Sequence, residues 1–176
     1  MNSAKVDIHT IYKNPQPWFT SLPKPQQELF KQSIFLINDA HSHKLVYTDY
    51  SYIIMPASKS YEGFIKDLLL KLKLITQNQH SSKRFRVGKA LNPQLESNPR
   101  YKREALYNEL SQFCSDQKFA DSLWNTWIEC RNKVFHYFPT EVRLLDLSEA
   151  EQRVTDILQV VMQSYSQCNP LVRVKR

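Results

Sequence analysis

The sequence predicts an all-α protein, a bundle of about five helices in a single domain. Three observations predict this. Only two of the 176 residues are glycine. Apolar residues recur at i, i+3, i+4 and i+7 through several long windows, the period of a helix with one buried face. Prolines, a capping box and polar stretches mark the ends of those windows. With 41% apolar residues, the chain is long enough for one sizeable core and short for two. It holds no apolar run near the ~20 residues that a spanning helix needs. Its first residues, MNSAKVDIHT, do not read as a secretory signal. The expected location is therefore cytoplasmic, away from membranes. Cys114, Cys130 and Cys168 are odd in number and too widely spaced for a CxxC motif. They are expected to be buried or idle thiols in a reducing cytosol.

Residues 1–24 carry Pro15, Pro17 and Pro23 with little periodicity, and read as an irregular N-terminal arm. Residues 25–176 read as the helical domain. In PKPQQELFKQSIFLIN, Pro25 suits a first helical turn, and Leu29, Phe30, Ile34 and Ile37 share a side. Residues 44–56, KLVYTDYSYIIMP, are rich in β-branched and aromatic side chains. They fit an extended segment or a short strand near 45–55. In SKSYEGFIKDLLLKLKLI, Tyr61, Phe64, Ile65, Leu68, Leu69, Leu72 and Ile75 form the stripe of a second helix. Residues 77–98 form a polar, basic loop. Asn98-Pro99 is expected to start a third helix with Leu106, Leu110 and Phe113 as its seam. FADSLWNTWIECRNKVFHYF is a fourth helix, stopped at Pro139. Ser148-x-x-Glu151 reads as the capping box of a fifth, whose stripe is Ala150, Val154, Ile157, Leu158, Val161 and Tyr165.

Charge and one misplaced arginine carry the functional information. The formal net charge is +7, yet Lys71 to Arg103 holds nine basic residues against one acid, Glu96. That window is +8, so the remainder sums to −1. A localised basic segment is the footprint expected of a polyanion partner, and its candidate RNA-binding residues are Lys83, Arg84, Arg86, Lys89, Arg100, Lys102 and Arg103. Phe85 and Tyr101 are candidate stacking surfaces, though ordinary loop packing accounts for them as well. In the fourth helix Arg131 falls inside the apolar arc, with Trp127 four residues before it and Phe135 four after. A guanidinium there must be paired, must snorkel outward, or must face a cleft or interface. Asn132 and His136 share a neighbouring polar face. From composition alone an Arg-Asn-x-x-x-His string is expected only about 0.015 times in the chain. His41 and His43 form an H-x-H pair, read as a surface feature; no metal or cofactor is expected.

RNKVFH (131–136) resembles the R-x4-6-H motif of HEPN domains, small helical bundles that include many metal-independent endoribonucleases. A polar residue directly after the arginine, here Asn132, belongs to that pattern. PASKSYEGFIKDLL (56–69) resembles the KAxEGxLK-type helix of HEPN toxins related to the phage-restricting RNase LS toxin. The resemblance covers about 45–166. It implies a HEPN-like bundle, an active site of Arg131, His136, Asn132 and Glu62 completed at a homodimer interface, and a toxin–antitoxin or phage-defence role. Related toxins often carry a modifiable tyrosine two positions after the histidine. Here that position is Phe138 and the tyrosine is Tyr137, which favours a blocking protein antitoxin over nucleotidylation.

The residue types suit metal-independent RNA cleavage by the ribose 2′-OH. His136 suits proton transfer near neutral pH, and Arg131 suits the anionic phosphorane. Asn132 suits orientation of the histidine or substrate, and Glu62 suits orientation of Arg131 or a second acid–base role. Glu62 is equally explained as a first-turn acid paired with Lys66. Arg131 and His136 lie about 140° apart on an ideal helix, and one motif supplies one histidine. A two-fold dimer would bring two of each into one cleft. The rival readings are a HEPN-like module that binds RNA or protein without cutting, and a structural domain in which Arg131 is an internal pair. A buried, saturated His136 would favour the module.

Overall fold

The computed structural model describes residues 6–11, 13–44, 46–114, 117–137, 139–140 and 142–168. In chain order the helices are α1 (Pro17–Thr20), α2 (Lys24–Ser42), α3 (Ser51–Lys71), α4 (Gln77–Ser81), α5 (Val87–Ala90), a 3₁₀ turn (Pro93–Leu95), α6 (Tyr107–Phe113) and α7 (Gln117–Trp127). A π-helical turn (Ile128–Asn132), the short α8 (Lys133–Phe135) and α9 (Leu147–Gln167) complete them. The fold is all-α.

The centre of the bundle is α3, on which α2, α9 and the π turn all pack. Its apolar face is buried as its periodicity predicts, with Ile53, Ile54, Tyr61, Ile65 and Leu69 all at 0% exposure. The antiparallel α2 lies along it: the Ala57 N–H donates to Ser33 Oγ at 2.9 Å, and Ser60 Oγ donates to the Gln26 carbonyl at 3.0 Å. Gly63 sits beneath the Gln26 side chain, where a Cβ would come within 3.0 Å of Nε2. The helix carrying Arg131 is held by two buried hydroxyls of α3. Tyr61 donates to the Leu123 carbonyl at 2.8 Å and Ser58 to the Cys130 carbonyl at 2.7 Å.

Several sequence expectations are corrected. Residues 51–55 are helical, although Pro56 lies inside α3. Proline withholds an N–H and crowds the preceding turn. Here Asp49 supplies the missing helix-start signal, its carboxylate accepting from the Ser51 N–H and hydroxyl, and Ser33 takes the Ala57 N–H just past the proline. Any extended backbone is confined to the residues before Ser51. Pro99 starts a turn rather than a helix: the Asn98 side chain accepts from the Arg100 N–H, and α6 begins only at Tyr107. The loop 77–98 contains α4, α5 and the 3₁₀ turn. The fourth helix stops at Phe135, not at Pro139, and its π turn departs from regular α winding. The cap of α9 is Asp146 with Glu149, two residues earlier than expected; Glu151 instead accepts from His41 and His9. With so few glycines, the chain turns left-handed after α2 and α3 at lysines, Lys44 (φ 47°) and Lys73 (φ 60°).

Among its described residues the N-terminal arm is irregular apart from α1, yet Ile8, Ile11, Trp18, Phe19 and Leu22 join the same buried core as the helices. The cysteine expectation is half corrected. Cys130 is a buried free thiol, but Cys114 and Cys168 form a disulfide. They close a loop of sequence separation 54 that contains the whole motif helix. Closing a loop of that length removes unfolded-state entropy worth about 4 kcal/mol. Under non-reducing denaturation one thiol should titrate per chain, rising to three after reduction. Cys168→Ser should lower the urea-unfolding free energy by about 4 kcal/mol, and reduced wild type should match it. Three titratable thiols before reduction would refute the bridge.

Candidate active site

The two stretches singled out in the sequence meet in space. Arg131 Nη2 donates to Glu62 Oε2 at 2.8 Å across a sequence separation of 69. The two side chains are 34% and 30% exposed, so the pair lies at the surface rather than in a dry core. The Arg131 guanidinium also lies over the Trp127 ring, 4.6 Å from its centroid. The arginine is thus both paired and stacked, and its carboxylate partner is Glu62.

The chain's local chemistry builds this arrangement. Arg131 sits in the π turn, a winding that recurs at functional sites. The carbonyl of the adjacent Cys130 is taken by Ser58, so the turn is anchored to the same helix that carries Glu62. On its other side the turn is braced by Glu129, which accepts from Lys133 at 2.7 Å and Arg143 at 3.0 Å and lies 3.5 Å from Arg153. Burial alone would raise the Glu129 pKa, but the hydrogen bonds from Lys133 and Arg143 outweigh it and hold the carboxyl below its usual value. Burial pushes the Cys130 thiol up to about 12, leaving it protonated and a poor nucleophile. Burial likewise raises Tyr61 well above the usual phenol.

His136 follows α8 in extended backbone (φ −108°, ψ 130°) and is exposed. The ideal-helix angle between Arg131 and His136 therefore does not apply: a π turn separates them and the helix ends before the histidine. Asn132 is half-buried at the end of the π turn. Tyr137 is 76% exposed; Phe138 lies outside the described residues. His41 and His43 diverge, His41 pairing with Glu151 and His43 with Asp39.

The basic segment is divided. Lys89 pairs with Glu104 at 3.0 Å, and Lys89 and Arg100 both lie over the Tyr101 ring. Tyr101 is thus engaged by cations, and Phe85 is packed partly against the core. Arg84, Arg86 and Arg103 line a common hollow, while Lys83 and Lys102 are exposed outside its wall. Sequence reading missed Trp127 as the platform for Arg131, the brace at Glu129, and Gly88. A Cβ on Gly88 would fall 2.9 Å from Trp127 Nε1, so α5 is seated directly on the indole. The visible signals were Glu129-x3-Lys133 at helical spacing and the scarcity of glycine.

Two substitutions test this framework. Gly88→Ala must displace α5 or the rigid indole, and is expected to cost about 1–3 kcal/mol in chemical denaturation and to shift Trp127 fluorescence. An unchanged spectrum and midpoint would contradict the close seating. Glu129→Gln removes a carboxylate whose folded pKa is depressed, so that carboxylate stabilises above its unfolded value and the contribution fades as pH falls through the lowered one. The variant should be less stable than wild type at pH 7, with the gap closing below the ordinary value of 4.5. A gap independent of pH would refute the assignment.

No protein-family model, no curated protein and no solved structure matches the chain.

Proposed function

We propose that this chain is a metal-independent endoribonuclease of the HEPN type, the toxin of a toxin–antitoxin or phage-defence system, acting as a homodimer under a protein antitoxin. The observation that carries the reading is the meeting of Glu62 and Arg131 at the accessible surface, because two motifs remote in sequence supply the two halves of the pair. The Glu129–Arg143 pair is exposed to a similar degree and only braces the turn; what sets Glu62–Arg131 apart is that it joins the two motifs and has an exposed histidine, His136, five residues on. The same exposure of His136 favours the enzyme over an idle binding module.

In the proposed reaction a ribose 2′-oxygen attacks its own phosphorus, its proton passes to a base, and the bond from phosphorus to the 5′-oxygen breaks as that oxygen takes a proton from an acid. His136 performs one proton transfer, and the histidine of a second copy performs the other. Arg131, held by Glu62 and Trp127, meets the developing phosphorane charge. Asn132 orients the substrate or histidine. The products are a 2′,3′-cyclic phosphate and a 5′-hydroxyl.

The surface beside the pair supports the dimer. Tyr52, Met55, Lys59 and Glu62 follow one another on a single stripe of α3 at helical spacing, with Tyr52 38% and Met55 58% exposed. Phe135, one turn past Arg131, is 36% exposed. Apolar groups flanking a charged pair are the anatomy of a self-complementary interface around a polar cleft.

Purified protein should cleave total RNA in excess EDTA, leaving 2′,3′-cyclic phosphate ends. His136→Ala and Arg131→Ala, matched for helicity and dimer fraction, should each lose about a hundredfold or more. A wild type that binds RNA yet cuts none would shift the reading to a binding module. Equal cleavage by all three proteins would remove the motif from the chemistry.

A further inference from the structure

Beyond the Glu62–Arg131 pair, the basic segment folds into a second concavity. Three arginines, Arg84, Arg86 and Arg103, surround a hollow of about 270 Å³ whose apolar lining includes Phe85, Leu74 and Leu106. None of these arginines forms a salt bridge among the described residues. Among the described residues no carboxylate neutralises them, whereas Lys89 is engaged by Glu104 and Tyr101. Glu104, on the rim, has its charge balanced by Lys89. The hollow thus combines an uncompensated cationic rim with an apolar floor. Its volume lies near the ~300 Å³ lower bound of small-ligand sites, the scale of a single nucleotide and not of a folded strand.

The walls are built, not draped. Thr76 and Gln79 form a capping box at the start of α4, and the Arg84 N–H donates to Ser82 Oγ at 3.1 Å. Arg86 Nη1 donates to the Lys83 carbonyl at 2.9 Å, and Arg86 is itself the N-cap of α5. The opposite wall is tied to α5 where the Leu106 N–H donates to the Ala90 carbonyl at 2.8 Å. Two residues beyond Arg86, Gly88 rests on the Trp127 indole that carries Arg131. The hollow and the catalytic pair therefore stand on one rigid connection.

We propose that this hollow is a subsite for one phosphorylated nucleotide of single-stranded RNA, its phosphate held by Arg84 and Arg103 and its base laid on the apolar floor around Phe85. That the ligand is RNA rests on the endoribonuclease reading. Guanidinium forks suit phosphate oxygens, and a base that leaves the stack gains from an apolar surface. Because the subsite is fixed relative to Arg131, it would set how many nucleotides separate the held base from the cut.

The test uses the full chain and a labelled 2′-O-methyl oligoribonucleotide, which lacks the attacking hydroxyl, so binding is read without cleavage. Fluorescence anisotropy compares Arg84→Ala/Arg103→Ala with the charge-matched Lys83→Ala/Lys102→Ala, both checked for helicity by circular dichroism. The hollow pair should weaken binding about tenfold more than the control pair, the equivalent of one charged hydrogen-bonded contact. Equal weakening, or none, overturns the subsite, as does a wild type that does not bind. Competition by adenosine monophosphate separates the sources: displacement dependent on Arg84 and Arg103 assigns the hollow to a free nucleotide, and oligonucleotide binding that resists it assigns the hollow to a nucleotide within a chain. RNA cleavage by wild type with equal binding of both double variants would sink the subsite and spare the enzyme. Arginine-dependent binding without cleavage would do the reverse.

Discussion

The arrangement depends on how α3 grips the helix that carries Arg131. Two hydroxyls, Ser58 at 2% and Tyr61 at 0% exposure, reach out of the core face of α3 to carbonyls at the two ends of that grip. Buried hydroxyls left without partners would cost roughly 1–3 kcal/mol each, so the pairing fixes register as well as contributing stability. An apolar contact tolerates sliding by a fraction of a residue; a hydroxyl on a single carbonyl does not. With register set at Leu123 and Cys130, the next residues along each helix, Glu62 and Arg131, come opposite each other without further adjustment.

That explains why the Glu62–Arg131 pair need not stabilise the protein. An ion pair about one-third exposed contributes only ~0–1 kcal/mol, far less than the core beneath it. The stack on Trp127 adds roughly 0.5–1 kcal/mol more at such a site. What both contacts do is restrict a flexible side chain to one orientation, so that an approaching anion would meet a guanidinium already in place. The brace at Glu129 acts on the backbone in the same sense. It draws Lys133, Arg143 and Arg153 onto one carboxylate behind the π turn, and it keeps that anion on the far side from Arg131.

Much of this was legible in the sequence, and what was not has identifiable causes. The stripes of α2, α3 and α9 required only period counting, although Tyr165, counted in the α9 stripe, is 44% exposed. The start of α3 was hidden by Pro56, because the compensating groups, Ser33 and Asp49, lie in other segments and a local rule cannot weigh them. The cap of α9 was misplaced by two residues because Asp146-x-x-Glu149 and Ser148-x-x-Glu151 carry the same spacing; the second glutamate is drawn away by His9 and His41. The disulfide joins residues with no spacing signature, brought together where the C-terminal ends of α6 and α9 meet in an isolated bridge. For the site, Arg131 stood out as a charge in an apolar arc, and its partner Glu62 was named. The π turn, which changes where His136 projects, leaves no periodic trace.

The α3 stripe also bears on how two copies would complete one site. Its N-terminal half presents Tyr52 and Met55, and its next turns present Lys59 and Glu62. A partner covering the whole stripe would bury Lys59 and Glu62 and bear the cost of desolvating them. A partner centred on the apolar half would bury Met55 and Tyr52, leave the charged half lining a gap, and bring its own Arg131 to the other side of that gap by two-fold symmetry. The second arrangement costs less, because the charged groups keep their water. The like charges that face each other across such a gap repel until an anion enters. The proposed dimer would therefore be a cleft whose electrostatics favour a bound phosphodiester over an empty site, with Glu62 of each copy moderating that repulsion in its absence.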